Sequence, residues 1–475
     1  MGFKTKKIKV VKVNKISKIK KSIPYIIGIL SITVISILGF FTIESIGNFN
    51  FNFNFKLPNI ISNLNFDSQT ENKDNQIKIL LVGRGGGNHD APDLTDSMIL
   101  ADINLDKNIV SMLSIPRDLY VSYDDGKRKG KINEIYMHYK NLENDENKAM
   151  DYLKNKVSEI TGEKIDYYVN IDFSGFKQIV DMLGGITITV PETLVDYTYP
   201  DGKGGYTTFV LKAGTWDIDG ETALKYARSR HSTSDFDRSL RQQKILTAIK
   251  EKMISDGYFS NPFKIKKMYS TMSPYFTTDI GLNGILKIAS DFKNLGGGNN
   301  IISLNLNNSC VYGFAVCEVG GILYTPPMED FGGASILLPR DADYYNLEKY
   351  GEIQRFSKIV FEYPEVFIDK QEINIFNSSG IPNKAMYLAN DLQQFGFNIP
   401  EKNSIGNIGS GTYEQTTILY NNLGKNTKTL DALKLFIKGK YVETDKPQHS
   451  KNPDTKIEII IGKDFTDISD FNGTN

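Results

Sequence analysis

The stretch DYYVNIDFSGFKQIVDMLGGITITV, Asp166–Val190, reads as a strand, a helix, a Gly184–Gly185 turn and a second strand. Strand and helix patterns sharing one short segment place it in a mixed α/β layer architecture. Upstream, NKAMDYLKNKVSEITG, Asn147–Gly162, is helical with Gly162 as its stop. DSMILADINLDKNIVSMLSIP, Asp96–Pro116, reads as two strands joined by an Asn/Asp turn, and IKILLVG, Ile77–Gly83, as a buried strand. Downstream, DGETALKYARSR starts a helix after Asp219, and FDRSLRQQKILTAIKEKM continues as another. The predicted domain is α/β, a mixed sheet flanked by helices, over residues 77–346.

A composition shift follows, predicting a linker over 347–370. A smaller α/β module is predicted over 371–465. It contains strand EINIFN, a helix with Ala385, Leu388, Ala389 and Leu392 at helical spacing, strand TTILYNN, helix TLDALKLFIKG and strand KIEIIIG. Residues 466–475 read as a tail.

The N-terminus has a different character. Nine lysines precede the first acidic residue, Glu44, and the remaining chain holds 47 basic against 56 acidic residues, about −9. A basic arm, 1–22, before an acidic body does not suit a nucleic-acid binder, whose body would need its own basic face. Between them, Ile23–Ile43 is uncharged and mostly apolar, long enough at about 1.5 Å per residue to cross roughly 30 Å of hydrocarbon. The lysine flank sets a cytoplasmic N-terminus and an extracytoplasmic body. A cleaved signal peptide is the alternative, but no A-x-A-like site follows Phe41. Residues 44–76, with the alternating NFNFNFNF, read as a juxtamembrane linker. Cys310 and Cys317, set among glycines, suit a disulfide in an oxidising compartment, with two buried thiols as the other reading.

The chemistry concentrates in ARSRHSTSDFDRSLRQQ, Ala227–Gln243. Lysine outnumbers arginine 47 to 9 in this chain, yet Arg228, Arg230, Arg238 and Arg241 fall together. Arginine offers a planar fork that binds phosphate through two parallel hydrogen bonds and keeps its proton. The cluster is therefore predicted to hold a phosphate-bearing ligand, with Gln242 beside Arg238 on the same helix face. A salt-bridge network with Asp235 and Asp237 is the competing reading, but it does not explain why lysine is avoided. Arg84 in LLVGRGGGN and Arg117 in LSIPRDLY stand at strand ends, where α/β sheets bind ligands. Gly85–Gly87 can present N–H groups to an anion, although no Gly-Lys-Ser/Thr follows to make a nucleotide P-loop. Asp90, Asp93 and Asp96 lie close to this loop, and carboxylates beside a polyphosphate point to Mg²⁺. Asp96 is the leading candidate. None of the four histidines has metal-ligand spacing; His231, next to Arg230, is read as structural rather than a proton shuttle.

The succession SIPRDLYV, KINEIYMHY, DYYVNIDFSGFKQIVDMLGGI, LKAGTWDIDGETALKYARSR and DFDRSLRQQ resembles the LytR–CpsA–Psr family of cell-wall phosphotransferases, across roughly residues 77–346. The module at 371–465 is similar to the C-terminal domain often attached to these proteins. The resemblance implies a membrane-anchored extracytoplasmic enzyme. It would transfer a glycopolymer from a polyprenyl-pyrophosphate carrier to peptidoglycan or a related wall polymer, with the lipid tail in an apolar pocket. It implies catalytic roles for Arg117, Arg228, Arg230, Arg238, Arg241 and Gln242, and Mg²⁺ on Asp96. Arg84 and Asp237 are expected from their own placement to contact the substrate, and Asp90 or Asp93 to supply a second metal ligand. The family's usual G-x-D-x-R is replaced by VGRGGGNHD, and KINH by KINE with Glu134, which leaves the second metal ligand open. Asp237, Asp235 and Asp96 are candidate general bases, and water in place of the acceptor would give slow pyrophosphatase activity. The rival expectation is a non-catalytic receptor for polyprenyl phosphates or wall glycans.

Overall fold

Alternate residues of the first strand face two different cores. In β1 (Gln76–Arg84), Leu80 and Val82 point into one core, while Ile79 and Leu81 point into the other. The same division holds in β2 (Thr95–Asn104) and β3 (Ile109–Ile115), where Met98, Leu100 and Leu113 oppose Ile99, Ala101 and Met112. A period of two with apolar side chains on both faces requires a cover on each side.

The computed structural model describes residues 75–466, apart from 88, 202–204, 230–234, 295–299, 310–317, 401–403, 410–412, 422–427, 446–447 and 451–454. The expected anchor, Arg230, His231, Cys310 and Cys317 lie outside the described residues. Among those described, no helix is long and apolar enough to cross a membrane.

After β3 come the hairpin β4 (Tyr120–Tyr123) and β5 (Arg128–Lys131), then helices α1 (Glu134–Glu143) and α2 (Glu146–Thr161). Asp145 caps α2 by accepting from the N–H groups of Asn147 and Lys148, and Gly162, at φ 72°, ends it. The strand–helix–strand stretch is β6 (Tyr167–Asp172), α3 (Phe173–Met182) and β7 (Ile186–Val190), as its sequence predicts. Then follow β8 (Leu194–Pro200), β9 (Tyr206–Leu211), β10 (Gly214–Ile218), α4 (Gly220–Arg228), α5 (Asp235–Ser255), α6 (Pro262–Met272), β11 (Phe276–Thr278), α7 (Leu282–Asn294) and β12 (Asn300–Asn305). The central sheet has the order β11-β6-β1-β2-β3-β12. β6 runs parallel to β1 and β12 parallel to β3, and the other pairs are antiparallel. Residues of α1 and α2 bury one face, and residues of α3 to α7 the other. The architecture is mixed α/β.

Short strands β13 (Leu323–Tyr324) and β14 (Leu338–Pro339) lead to α8 (Gly351–Glu362) and α9 (Glu365–Asp369). The segment 347–370, expected as a linker, carries these two helices. Ile353, Phe356, Ile359, Val360 and Phe361 of α8 are fully buried, in the core that also holds α2 and β1. Their helical spacing gives one apolar stripe, and that stripe needs a cover. The C-terminal module follows as β15 (Ile373–Asn377), α10 (Lys384–Gln394), β16 (Ile405–Asn407), β17 (Thr417–Tyr420), α11 (Lys428–Leu433), β18 (Lys440–Glu443) and β19 (Ile457–Ile461). Its sheet order is β16-β15-β19-β17-β18. Its Ile375, Leu392 and Phe436 belong to the same continuous core as α8.

One ionic cluster is buried beside that core. Lys78 Nζ on β1 lies 3.2 Å from Glu163 and 4.0 Å from Asp102 on β2. Burial pushes Asp102 up to about 7, because a single lysine shared between two acids only partly offsets the lost hydration.

Candidate active site

A polar cleft opens at the C-terminal ends of β1, β3 and β6, the usual ligand position in such sheets. Among the described residues, three arginines line it from separate parts of the fold. Arg117 follows β3, Arg228 ends α4 and Arg238 lies in the first turns of α5. Arg117 Nη1 donates to Asp96 Oδ1 at 2.7 Å, and Asp96 stands second in β2. The Arg228 guanidinium lies over Phe173, 4.2 Å from the ring centre, and donates to the Tyr199 hydroxyl at 3.4 Å. Phe173 is placed there by Asp172, which caps α3 by accepting from Gly175 N–H. Asp219 caps α4 in the same way through Thr222 N–H, fixing the helix whose last residue is Arg228. Arg238 is buried to 6% exposure, and Gln242, one turn later, also reaches the cleft.

A second, apolar cavity runs between the sheet and α3, α4 and α5. Leu81, Ile99, Val169, Phe176, Ile179, Leu224, Leu246 and Ile249 line it. Ser97, Phe173, Arg228 and Gln242 line both spaces, so the cavity and the cleft share one mouth.

Other residues expected in the site lie elsewhere. Arg241 is turned into the fold: its Nε donates to Tyr226 O at 3.0 Å and its Nη2 to Ser229 O. It is 6% exposed and satisfies carbonyls at the end of α4 that have no helical partner, outside the cleft lining. Arg84 and Asp93 are also diverted. Arg84 Nη1 is 3.3 Å from Asp93 Oδ1, Lys140 Nζ is 2.9 Å from the same oxygen, and Lys140 reaches Glu146 at 2.8 Å. Burial works against the charge on Glu146, but hydrogen bonds from Lys140 and Thr277 prevail and hold its carboxyl below the usual range. This network fastens α1 and α2 to the end of β1. Neither Arg84 nor Asp93 lines the cleft, and Asp237, half-buried on α5, does not either. Asp90 does, as an exposed residue of the rim.

The sequence reading missed the β8–β9 hairpin, which contributes Asp196, Thr198, Tyr199 and Tyr206 to the cleft wall. Burial pushes the Tyr199 hydroxyl up, and the Arg228 charge opposes that shift. It also missed His89, whose loop carries no recognised ligand spacing. Among the described residues, no group of three or more His, Cys, Asp or Glu is placed to hold a metal ion.

The LytR_cpsA_psr family model matches residues 50–321, and the model described as LytR cell envelope-related transcriptional attenuator matches 370–465. The first match alone takes in more than half of the chain. The chain belongs to the LytR–CpsA–Psr family.

Among curated LytR–CpsA–Psr relatives, the Corynebacterium glutamicum cell wall biosynthesis protein LcpA is 26% identical over 354 residues, 69% of this chain and 62% of LcpA. The Bacillus subtilis polyisoprenyl-teichoic acid–peptidoglycan teichoic acid transferase TagV is 33% identical over 190 residues, 39% of this chain and 45% of TagV. The chain thus spans less than two thirds of either relative's length. The crystal structure of B. subtilis TagV aligns with 61% of this chain and 98% of its own, at 26% identity and a TM-score of 0.44.

Proposed function

We propose that this protein transfers a glycopolymer from a polyprenyl-pyrophosphate carrier to peptidoglycan or a related cell-wall polymer. The observation that carries this reading is the shared mouth of the two cavities. A ligand filling both must be apolar over one long part and strongly anionic where it meets Arg228, Arg117 and Arg238. A polyprenyl pyrophosphate has that form. TagV, named as a teichoic acid transferase acting from a polyisoprenyl carrier, is a relative with that kind of chemistry in its name.

In the proposed reaction an acceptor hydroxyl attacks the glycan-bearing phosphorus. A new P–O bond forms, the bond to the bridging oxygen breaks, and polyprenyl phosphate leaves with the electron pair. The hydroxyl proton passes to the cleft carboxylate Asp196, since Asp237 does not reach the cleft and Asp96 is engaged by Arg117. Arg228 and Arg238 hold the phosphate oxygens as charge builds, a fixed electrostatic environment that needs no reorganisation. The donor set fits Mg²⁺: Asp90 and Asp96 both line the cleft and offer hard carboxylate oxygens, Asp96 through the oxygen that Arg117 does not bind, while Asp93 lies outside the lining. Bound there, the ion would supply neutralisation of the pyrophosphate charge. The segment Ile23–Ile43 would anchor the domain at the outer membrane surface, where such a carrier is embedded.

The direct test supplies purified full-length protein with a pyrophosphate-linked lipid donor, a wall-polymer acceptor and Mg²⁺. Release of polyprenyl phosphate coupled to acceptor modification supports transfer. Donor binding without turnover would make the protein a receptor instead.

A further inference from the structure

The glycine run Gly85–Gly87 was expected to offer backbone N–H groups to an anion; in the fold it makes room for an imidazole. A Cβ on Gly85 would stand 2.7 Å from Cγ and 2.7 Å from Nδ1 of His89. Gly86, at φ +67°, presses on Asp172, where a Cβ would come within 2.4 Å of that side chain. Gly86 N–H donates to Pro92 O at 2.8 Å and His89 N–H to Gly86 O at 3.1 Å, so the loop closes on itself. The His89 ring meets the edge of Phe173 at 5.4 Å and lines the cleft.

Its two nitrogens have different partners. Nδ1 accepts from Ala91 N–H at 3.3 Å, and Nε2 faces Arg228 Nη2, also at 3.3 Å. Both neighbours are obligate donors, and a neutral imidazole has one acceptor, so only one contact is a hydrogen bond. The Ala91 N–H is fixed in the same loop, whereas the Arg228 guanidinium can turn its N–H groups to Tyr199 or to a ligand, which favours Nδ1 as the acceptor and the ring proton on Nε2. Two donors, Nε2–H and the Arg228 guanidinium, then point at one region of the cleft. That pairing is unfavourable alone and is relieved by an anionic oxygen that both can reach.

We propose that His89 is a catalytic residue that donates its Nε2–H, together with Arg228, to a phosphate oxygen of the pyrophosphate. The role rests on the functional reading above and adds a phosphate ligand from a loop with no recognised binding motif. The tautomer is favoured by Ala91, the position is set by Gly85, and His89 and Arg228 both pack on Phe173.

The experiment uses the full-length chain in detergent with ¹⁵N-labelled histidine. The chain has four histidines, and H89Q assigns the His89 signals by their loss. The expected spectrum at neutral pH shows an unprotonated Nδ1 and a protonated Nε2, with the Nε2 signal shifting on addition of geranyl pyrophosphate. H89A should weaken geranyl pyrophosphate binding about tenfold, the scale of one hydrogen bond to a charged group. H89Q, which keeps an N–H donor, should weaken it less. G85A should reproduce the H89A loss with the histidine still present, by displacing the ring. A proton found on Nδ1, or H89A binding as wild type does while R228K is impaired, would overturn the role of His89 alone. A wild-type chain that binds no geranyl pyrophosphate would overturn the functional reading, and this role with it.

Discussion

Arg117 Nη1 and Asp96 Oδ1 are 2.7 Å apart, at the point where β2 and the end of β3 meet the cleft. Each side chain keeps the other in place. The pair also brings a fixed cation and a carboxylate to the same edge of the site, the combination that a phosphate with a divalent ion calls for. Both are half-buried, so orientation rather than net stability is what the pair contributes.

Asp96→Asn should therefore lower transfer by about a hundredfold, the scale seen when one electrostatic group is removed from a preorganised site. The Mg²⁺ concentration needed for half-maximal rate should rise with it. Titrating Mg²⁺ against turnover in both proteins checks this, and an unchanged Mg²⁺ requirement would remove Asp96 from the metal site.

Arg241 and Arg228 should separate stability from activity. Arg241→Lys loses the Nε donor to Tyr226 O and the fork that also reaches Ser229 O, both buried. The expected cost is about 1.5–3 kcal/mol of stability, read as a lower melting temperature, with turnover per folded molecule retained. A variant that melts like wild type but is inactive would return Arg241 to the catalytic machinery.

Much of the fold was legible because burial leaves periodic marks. Ile77–Gly83 and Asp96–Pro116 are apolar runs, and both form central strands; the Gly162 stop and the Asp219 start were local signals that tertiary packing did not override. The site was legible only in part. Arg238 and Arg241 are three residues apart on α5 and look alike in sequence. Which one enters the cleft and which one binds backbone depends on where the end of α4 lies, and no local pattern encodes that. Asp93 and Asp96 divide for the same reason, since Lys140 comes from a distant helix. His89 was invisible because its function depends on the room that Gly85 leaves. The apolar stripe of α8 was visible in Ile353, Phe356 and Val360, but the surrounding charged residues masked it as a linker.

The buried acid at Asp102 predicts a pH dependence of stability. Burial holds its folded-state value at about 7, above the ordinary 3.8. Between those values the folded state keeps a proton that the unfolded chain releases. Its contribution is thus complete below about 4 and is lost as pH rises through about 7. Asp102→Asn should remove that part of the slope, so the variant's melting temperature should gain on wild type as pH rises across the window. Parallel melting curves for the two proteins over that range would contradict the assignment.

If Ile23–Ile43 is a retained anchor, membrane fractions should contain the full-length chain, with its C-terminus open to protease added from outside. Recovery of a soluble chain beginning near residue 44 would contradict this.

The most direct measurement is polyprenyl phosphate release from a pyrophosphate-linked donor by Arg228→Lys and Arg238→Lys, with folding followed by thermal melting. Each substitution keeps a positive charge and removes the planar fork. The account predicts folded, cooperatively melting variants and a rate per folded molecule lowered about a hundredfold, equivalent to roughly 2–3 kcal/mol of transition-state stabilisation. Near-wild-type rates in both variants would mean that the arginines form only a charged wall, and transfer through a gripped pyrophosphate would be wrong.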